Sequence, residues 1–270
     1  MTTVAEIADD LGQLAPISLA EDWDNVGLLV GNRAADVSSV MTCLTLTANV
    51  ADEAIARNAQ LIISHHPVLF RAVQRLTAET VEGRMLLNLI AAGVSVYSPH
   101  TGFDSASDGI NQQLADLLEL SNIGVLRPIE NNADGLVNDE HPIGAGRFGD
   151  LAAPTTLAEF IDRVKACLDI SDLQFIGDKS DSIERVGIAC GAAAEFLRDA
   201  ADHGCQVLLT GEARFHACLE AQARGIALVL PGHYATERPA IEQLAKHLGL
   251  QFPELTVWAS ESESDPVQWS

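Results

Sequence analysis

Short apolar segments alternate with amphipathic helical patterns along most of the 270-residue chain. Segments 61–64 and 207–210 are apolar almost throughout, which is typical of strands buried on both faces. Amphipathic helical patterns follow at 83–92 and 215–224. Strands that alternate with helices predict an α/β protein whose sheets are largely parallel and covered by helices on both faces.

The same order of elements occurs twice. A Thr-Thr pair with a Glu a few positions later opens a helical pattern at residue 2 and again at residue 155, and such threonines are good helix N-caps. The interval from Val40 to Ile63 equals that from Val186 to Leu209, and similar helices follow in both halves. Equal spacing alone is common among α/β segments, but here two His/acid pairs also match.

The repeat predicts two similar α/β lobes at 1–126 and 151–252. A connector rich in Gly, Asn and Asp would join them at 127–150. The acidic, serine-containing residues 253–270 are predicted to form a solvated tail.

Charge and cysteine content narrow the classes of partner. The chain has 16 Lys and Arg against 38 Asp and Glu, a net charge of −22, which disfavours nucleic acid and anionic membrane surfaces. No apolar run approaches the ~18 residues of a membrane span, and the N-terminus lacks the pattern of a secretory signal. Five cysteines without a C-x-x-C pair indicate buried thiols, so we expect a cytoplasmic protein.

Five chemically active side chains follow the carboxyl ends of predicted strands, where α/β sheets bind ligands. They are His65, His66, Asp104, His233 and Glu237. Adjacent imidazoles at a strand end point in different directions, so this pair suits two metal ions better than one. The His233-x-x-x-Glu237 spacing places an imidazole and a carboxylate on one helix face, and His100-x-x-x-Asp104 repeats it.

This set of donors suits Zn, Fe, Mn, Ni or Co, and ligand type does not choose among them. Five ligands leave positions open on two divalent ions, which is typical of a catalytic centre. We expect His100 to be a sixth ligand or a general acid/base. A polar loop at His65-His66 and ordinary helix caps at the two spaced pairs remain the alternatives.

Other candidates carry less weight. The segment 21–27 either lines a cleft or forms a structural turn. Glu212 either borders the same site or caps a helix, and His216 lies near it. The remaining histidines are expected to be surface residues; they are His141, His203 and His247. Walker and serine-hydrolase motifs are absent from the sequence.

Taken in order, the motifs resemble those of the YbgI-type dinuclear metal-centre proteins, also called Nif-three-like proteins or GTP cyclohydrolase I type 2 homologues. The matching motifs are Glu21-x-Trp23-Asp24-Asn25-Val26-Gly27-Leu28, Ser64-His65-His66-Pro67, His100-Thr101-x-x-Asp104 with Gly109-x-Asn111, Thr210-Gly211-Glu212, and Gly232-His233-x-x-x-Glu237. Two departures stand out. Glu212 replaces the usual Asp, and alanines follow Gly191 in a turn that is usually richer in glycine.

The resemblance implies two α/β lobes that face each other across a cleft, with a dinuclear metal centre in the cleft. It implies that the five residues are the metal ligands, with Glu237 as the bridging carboxylate, and that the protein is a homohexamer. It also implies opening of the GTP imidazole ring with formate release, giving dihydroneopterin triphosphate. The alternatives are a metal-dependent phosphoesterase with a small substrate and a non-catalytic metal carrier or regulatory protein.

Overall fold

The computed structural model describes residues 1–129 and 143–268 and confirms the α/β class. Residues 130–142 of the predicted connector, with His141, lie outside the described residues, as do 269–270 of the predicted tail. In the part that is described, no helix is both long and apolar enough to cross a membrane.

Nine α-helices are present in the described residues. They are α1 Val4–Leu14, α2 Ala48–Ala56, α3 Val81–Ala91, α4 His100–Ser105, α5 Ile110–Leu117, α6 Leu157–Leu168, α7 Leu197–Asp202, α8 Phe215–Arg224 and α9 His233–Gln251. The strands of the same residues are β1 Gly27–Val30, β2 Ser39–Thr45, β3 Leu61–His66, β4 Ser95–Ser98, β5 Ser121–Gly124, β6 Arg127–Pro128, β7 Gly144–Ala145, β8 Arg147–Thr156, β9 Gln174–Ile176, β10 Ser182–Ala189, β11 Val207–Thr210, β12 Ala227–Leu230 and β13 Thr256–Ala259.

The first compact unit comprises Met1–Phe103 and Ala240–Pro266. Its sheet has the order β1-β4-β3-β2-β13, in which only the edge strand β1 is antiparallel. Successive residues of β3 point to opposite faces. Ile62 packs in a core cluster with residues of α2 and α3, whereas Ile63 packs in a second cluster with residues of α1. Helices therefore cover both faces of this sheet, as predicted.

The second unit comprises Asp104–Pro239 and the last residues from Val267. Its sheet has the order β5-β8-β10-β11-β12-β9. The three central strands β10, β11 and β12 are parallel, but the pairings of β5 with β8, β8 with β10 and β12 with β9 are antiparallel. The prediction of largely parallel strands therefore describes the centre of this sheet and not its edges.

Matching capping boxes confirm the predicted helix starts. Thr3 Oγ1 accepts the Glu6 N–H at 3.3 Å, and the Glu6 carboxylate accepts the Thr3 N–H at 2.7 Å. Thr156 and Glu159 make the same two bonds at 3.2 and 2.8 Å. Each box satisfies two backbone donors that would otherwise be unpaired at the start of α1 or α6.

The compact units do not follow the boundaries of the sequence repeat. The chain passes from one unit to the other after Phe103, within α4, and again after Pro239, within α9. Residues 104–126 belong to the second unit and residues 240–252 to the first. Boundaries drawn from the repeat assume that each repeat packs on itself, whereas the helices after the His/acid pairs pack in the other unit.

The predicted solvated tail also differs from the structure. Residues Thr256–Ala259 form β13, which pairs in parallel with β2, and Trp258 is buried in the core of the first unit. The segment Thr-Val-Trp-Ala has the β-branched and aromatic residues that strands favour. The surrounding acidic and serine residues obscured this pattern.

Candidate metal-binding and catalytic residues

Three histidines converge in the first unit. His65 and His66 are the last two residues of β3, and His100 begins α4 just after the neighbouring strand β4. One ring nitrogen of each residue lies within 4.8 Å of the others, and the ring centroids of His65 and His100 are 5.3 Å apart. Because parallel strands end at the same edge of the sheet, their terminal side chains meet there. This group could hold a metal ion.

Hydroxyl groups fix the backbone and one ring of this histidine pair. Ser98 Oγ donates to the carbonyl oxygen of His65 at 2.7 Å, and Ser64 Oγ donates to that of His66 at 2.8 Å. Thr45 Oγ1 lies 2.7 Å from Nδ1 of His66. The strand end is therefore held by side chains from β2, β3 and β4.

Asp24 orients the third histidine. Its side chain is fully buried and contacts Nδ1 of His100 and both the backbone N–H and the hydroxyl of Thr101. Burial favours the protonated acid, but the hydrogen bonds from His100 and Thr101 outweigh it and lower the pKa of Asp24 to about 2. An ionised carboxylate only accepts, so Nδ1 of His100 carries a proton and Nε2 is the nitrogen left for chemistry.

The sequence did not reveal the pairing of Asp24 with His100. Of the two alternatives for segment 21–27, the structure shows a turn, and Asp24 within it contacts His100. The segment is irregular, and its Asn25 side chain donates to the carbonyl of Leu69. Trp23 is 60% exposed and makes edge contacts with Phe70 and His100.

The second unit has its own pair of donors. His233 and Glu237 lie at the start of α9, with 3.0 Å between His233 Nε2 and Glu237 Oε2. This geometry confirms that the i, i+4 spacing places them on one helix face. Both residues belong to the first turns of α9, and Pro239 lies inside the same helix.

Carboxylates control the charge of His233. Burial of its ring opposes protonation, but Glu237 and then Glu212 outweigh burial and raise the pKa of His233 to about 9. Glu212 Oε1 lies 3.0 Å from His233 Nδ1, so Glu212 borders this pair rather than only capping a helix. A metal cation that binds Nε2 must displace the proton there. The two carboxylates stabilise positive charge beside the ring, whether a proton or a metal cation carries it.

Asp104 lies near the turn that follows β10. It belongs to α4, the helix that begins at His100. Cys190 Sγ donates to Asp104 Oδ1 at 3.3 Å, and Asn111 links the Asp104 carbonyl to the Cys190 N–H. Burial, followed by the charges of Asp104 and Glu237, raises the pKa of Cys190 well above its usual range. Cys190 therefore stays a thiol that donates to Asp104, and all five cysteines carry thiols.

Gly191 allows a close approach beside Glu237. Its φ is +65°, and a Cβ at this position would overlap the Glu237 carboxylate and lie 3.2 Å from His233 Nε2. The alanines that replace family glycines come after this position, so the one glycine that the turn requires is present.

The remaining histidines that the structure describes belong to neither donor group. His203 stacks on Phe148 with 4.4 Å between ring centroids, and His247 Nε2 lies 3.1 Å from an Asp10 carboxylate oxygen. His216 makes an edge contact with Phe215.

Imidazole and carboxylate donors at His65, His66, Asp104, His233 and Glu237 fit the divalent ions predicted from the sequence.

The chain is similar to known proteins over almost its whole length. The Duf34/NIF3 family, described as NGG1p interacting factor 3, matches residues 2–266. A Clostridium acetobutylicum protein named "GTP cyclohydrolase 1 type 2 homolog" is 34% identical over 98% of both chains. A Schizosaccharomyces pombe "Protein NIF3 homolog" is 33% identical over 92% of this chain and 91% of its own.

Solved structures show the same fold. A Staphylococcus aureus protein, SA1388, superposes with a TM-score of 0.87 at 27% identity and covers 100% of this chain and 99% of its own. A structure titled "protein ybgI, unknown function" gives a TM-score of 0.83 at 23% identity, with coverage of 98% and 100%. The second is similar in fold alone.

Proposed function

Since the chain belongs to the Duf34/NIF3 family, we propose that it is a divalent metal-dependent hydrolase of the GTP cyclohydrolase type. The proposed metal ligands are His65, His66, Asp104, His233 and Glu237, and the proposed proton-transfer residue is His100. The observation that carries the proposal is the end of β3, where ring nitrogens of the buried His65 and of His66 and His100 lie within 4.8 Å of one another.

When bound, divalent ions at these residues would polarise the substrate and would lower the pKa of a bound water to near neutrality. The protein supplies orientation and proton transfer. Asp24 keeps the proton of His100 on Nδ1, so Nε2 accepts or returns a proton at the substrate. Glu212 orients His233 from the other side of its ring.

The substrate part of the proposal is the imidazole ring of GTP, opened with release of formate to give dihydroneopterin triphosphate. Support comes from relatives whose names include GTP cyclohydrolase and from side chains suited to hydrolysis. The net charge of −22 opposes binding of a triphosphate, so bound cations must offset it locally.

The test uses metal-free protein that is reloaded with Zn, Fe, Mn, Ni or Co in turn. Incubation with GTP should release formate with at least one ion, and a chelator should abolish the release. Turnover of a generic phosphodiester without formate release would indicate a phosphoesterase instead. Transfer of metal to a partner without any turnover would indicate a carrier or regulatory protein.

The assembly and compartment are part of the same proposal. The resemblance to the family implies a homohexamer. The free cysteines favour the cytoplasm, and the net charge of −22 favours a small-molecule substrate over nucleic acid or a membrane. Analytical ultracentrifugation at micromolar concentration tests the hexamer. A monomer under conditions that retain metal would contradict it.

A further inference from the structure

The segment that follows β13 is anchored to α2 of the first unit by several polar contacts. Glu53 of α2 accepts hydrogen bonds from the Trp258 indole at 3.0 Å, the Ser260 hydroxyl at 2.7 Å and the Ser262 N–H at 2.9 Å. Arg57 lies over the Trp258 ring and pairs with Glu261 at 3.0 Å. These contacts with Glu53 and Arg57 therefore fix the backbone course of the segment from Trp258 to Ser262.

The next residue, Glu263, binds the end of β2 through its carboxylate. Glu263 Oε2 accepts the Leu44 N–H at 2.9 Å, and Oε1 accepts the Thr45 N–H at 2.6 Å. Two charge-assisted bonds to consecutive amides fix both the position and the orientation of the peptide between Leu44 and Thr45. The sequence had predicted Glu263 to be a solvated tail residue, and the structure gives it defined partners.

Thr45 connects that peptide to His66. The two residues are register partners in the parallel pair β2 and β3, and Thr45 Oγ1 lies 2.7 Å from His66 Nδ1. A neutral imidazole carries one proton, so only one ring nitrogen has a lone pair to bind a metal. If Nδ1 donates its proton to Thr45, Nε2 is left as the ligand.

We infer that Thr45 and Glu263 are positioning residues for His66. Thr45 holds the Nδ1–H tautomer and the ring orientation, and Glu263 fixes the Thr45 backbone from the C-terminal segment. This inference rests on the proposed function, in which His66 is a metal ligand. Hydrogen-bond partners of metal-binding histidines generally raise metal affinity by about 10- to 100-fold.

The first experiment needs no metal. Long-range ¹H–¹⁵N spectra of metal-free protein with labelled histidine report the tautomer of each ring, and His66→Gln identifies the His66 signals. His66 should carry its proton on Nδ1 in the wild type and in Thr45→Ser. Thr45→Val removes the hydroxyl but keeps a β-branched residue in β2, and it should shift His66 toward a mixture of tautomers.

The second experiment measures metal affinity by competition with a chromophoric chelator, using Zn as the probe. Thr45→Val should weaken binding by about 10- to 100-fold, with Thr45→Ser close to the wild type. Glu263→Ala should weaken binding as well. Glu261→Ala is the matched control, because it removes the same charge from the same segment without touching β2 and should leave affinity unchanged.

The outcomes separate this inference from the proposed function. If the wild type binds zinc, His66→Ala loses it, and Thr45→Val and Glu263→Ala match Glu261→Ala, the positioning role is wrong while the ligand role stands. If His66→Ala retains full affinity, the ligand role fails. An Nε2–H tautomer in metal-free wild type would overturn the inference whatever the zinc result.

Discussion

Both carboxylate oxygens of Asp24 lie 2.8 Å from Nδ1 of His100, although the two residues are 76 positions apart in the sequence. The same carboxylate binds the backbone N–H and the hydroxyl of Thr101. The buried carboxylate of Asp24, from a loop distant in sequence, thus fixes the start of α4 and the orientation of its first side chain.

Asp24→Asn should lower turnover of the metal-loaded enzyme by about 10- to 100-fold while metal content stays near that of the wild type. An amide can donate or accept toward Nδ1 of His100, whereas the carboxylate can only accept, so the Nδ1–H tautomer is no longer fixed. Formate release from GTP and elemental analysis of the same samples provide the measurement. Asp22→Asn, an exposed neighbour, serves as control. Equal turnover in the two variants would contradict a role for Asp24.

His100→Ala should retain bound metal and lose most of its turnover, by about 100- to 10,000-fold if His100 is the general acid/base. The expected result follows from the assignment of His100 to proton transfer and of the five other residues to metal binding. Metal content and formate release are measured in parallel. A loss of metal in this variant would show instead that His100 is a sixth ligand.

His65→Ala and Glu237→Ala should each reduce bound metal substantially, because each removes one proposed ligand. The structure shows that both side chains are buried, with 1% and 3% of the residues exposed, so some loss of stability is also expected. Elemental analysis is therefore paired with thermal unfolding of the metal-free proteins. Full metal content in folded samples of both variants would count heavily against the site.

Local signals in the sequence predicted much of the geometry of the candidate site. The strand that ends in His65-His66 and the spacing of His233 and Glu237 act within a few residues, so periodicity predicts their geometry. The capping boxes at Thr3 and Thr156 are local in the same way. Long-range relationships were out of reach. The pairing of Asp24 with His100 and the reach of Glu263 to β2 depend on tertiary packing, which no spacing rule encodes.

Glu53 makes acid stability depend on the C-terminal segment. Burial favours its protonated form, but the hydrogen bonds from Ser260 and the amides of Ser262 and Glu261 outweigh burial and lower the pKa of Glu53 to about 2. The stabilisation is complete above the unfolded pKa of about 4.5 and is lost as the pH falls toward 2, because only the unfolded chain is protonated in that window.

Glu53→Gln should therefore lower the free energy of unfolding by about 1–3 kcal/mol at pH 6, and the difference from wild type should shrink as the pH falls toward 3. Urea unfolding at several pH values measures it. Asp52→Asn removes an exposed carboxylate from the same helix and is the control. A difference between Glu53→Gln and wild type that stays constant with pH would show that the carboxylate charge is not what holds the segment.

Gly191→Ala should impair metal binding through Glu237. The substitution has two effects: a side chain at φ +65° strains the backbone, and its Cβ displaces the Glu237 carboxylate from its place beside His233. Gly204→Ala separates them, because Gly204 has a similar φ of +74° and nothing within 4 Å of the added Cβ. Both variants should lose about 1 kcal/mol of stability from backbone strain. Only Gly191→Ala should also lower zinc affinity in the chelator competition. Equal affinities in the two variants would mean that the Glu237 carboxylate does not have to lie beside His233 for metal to bind.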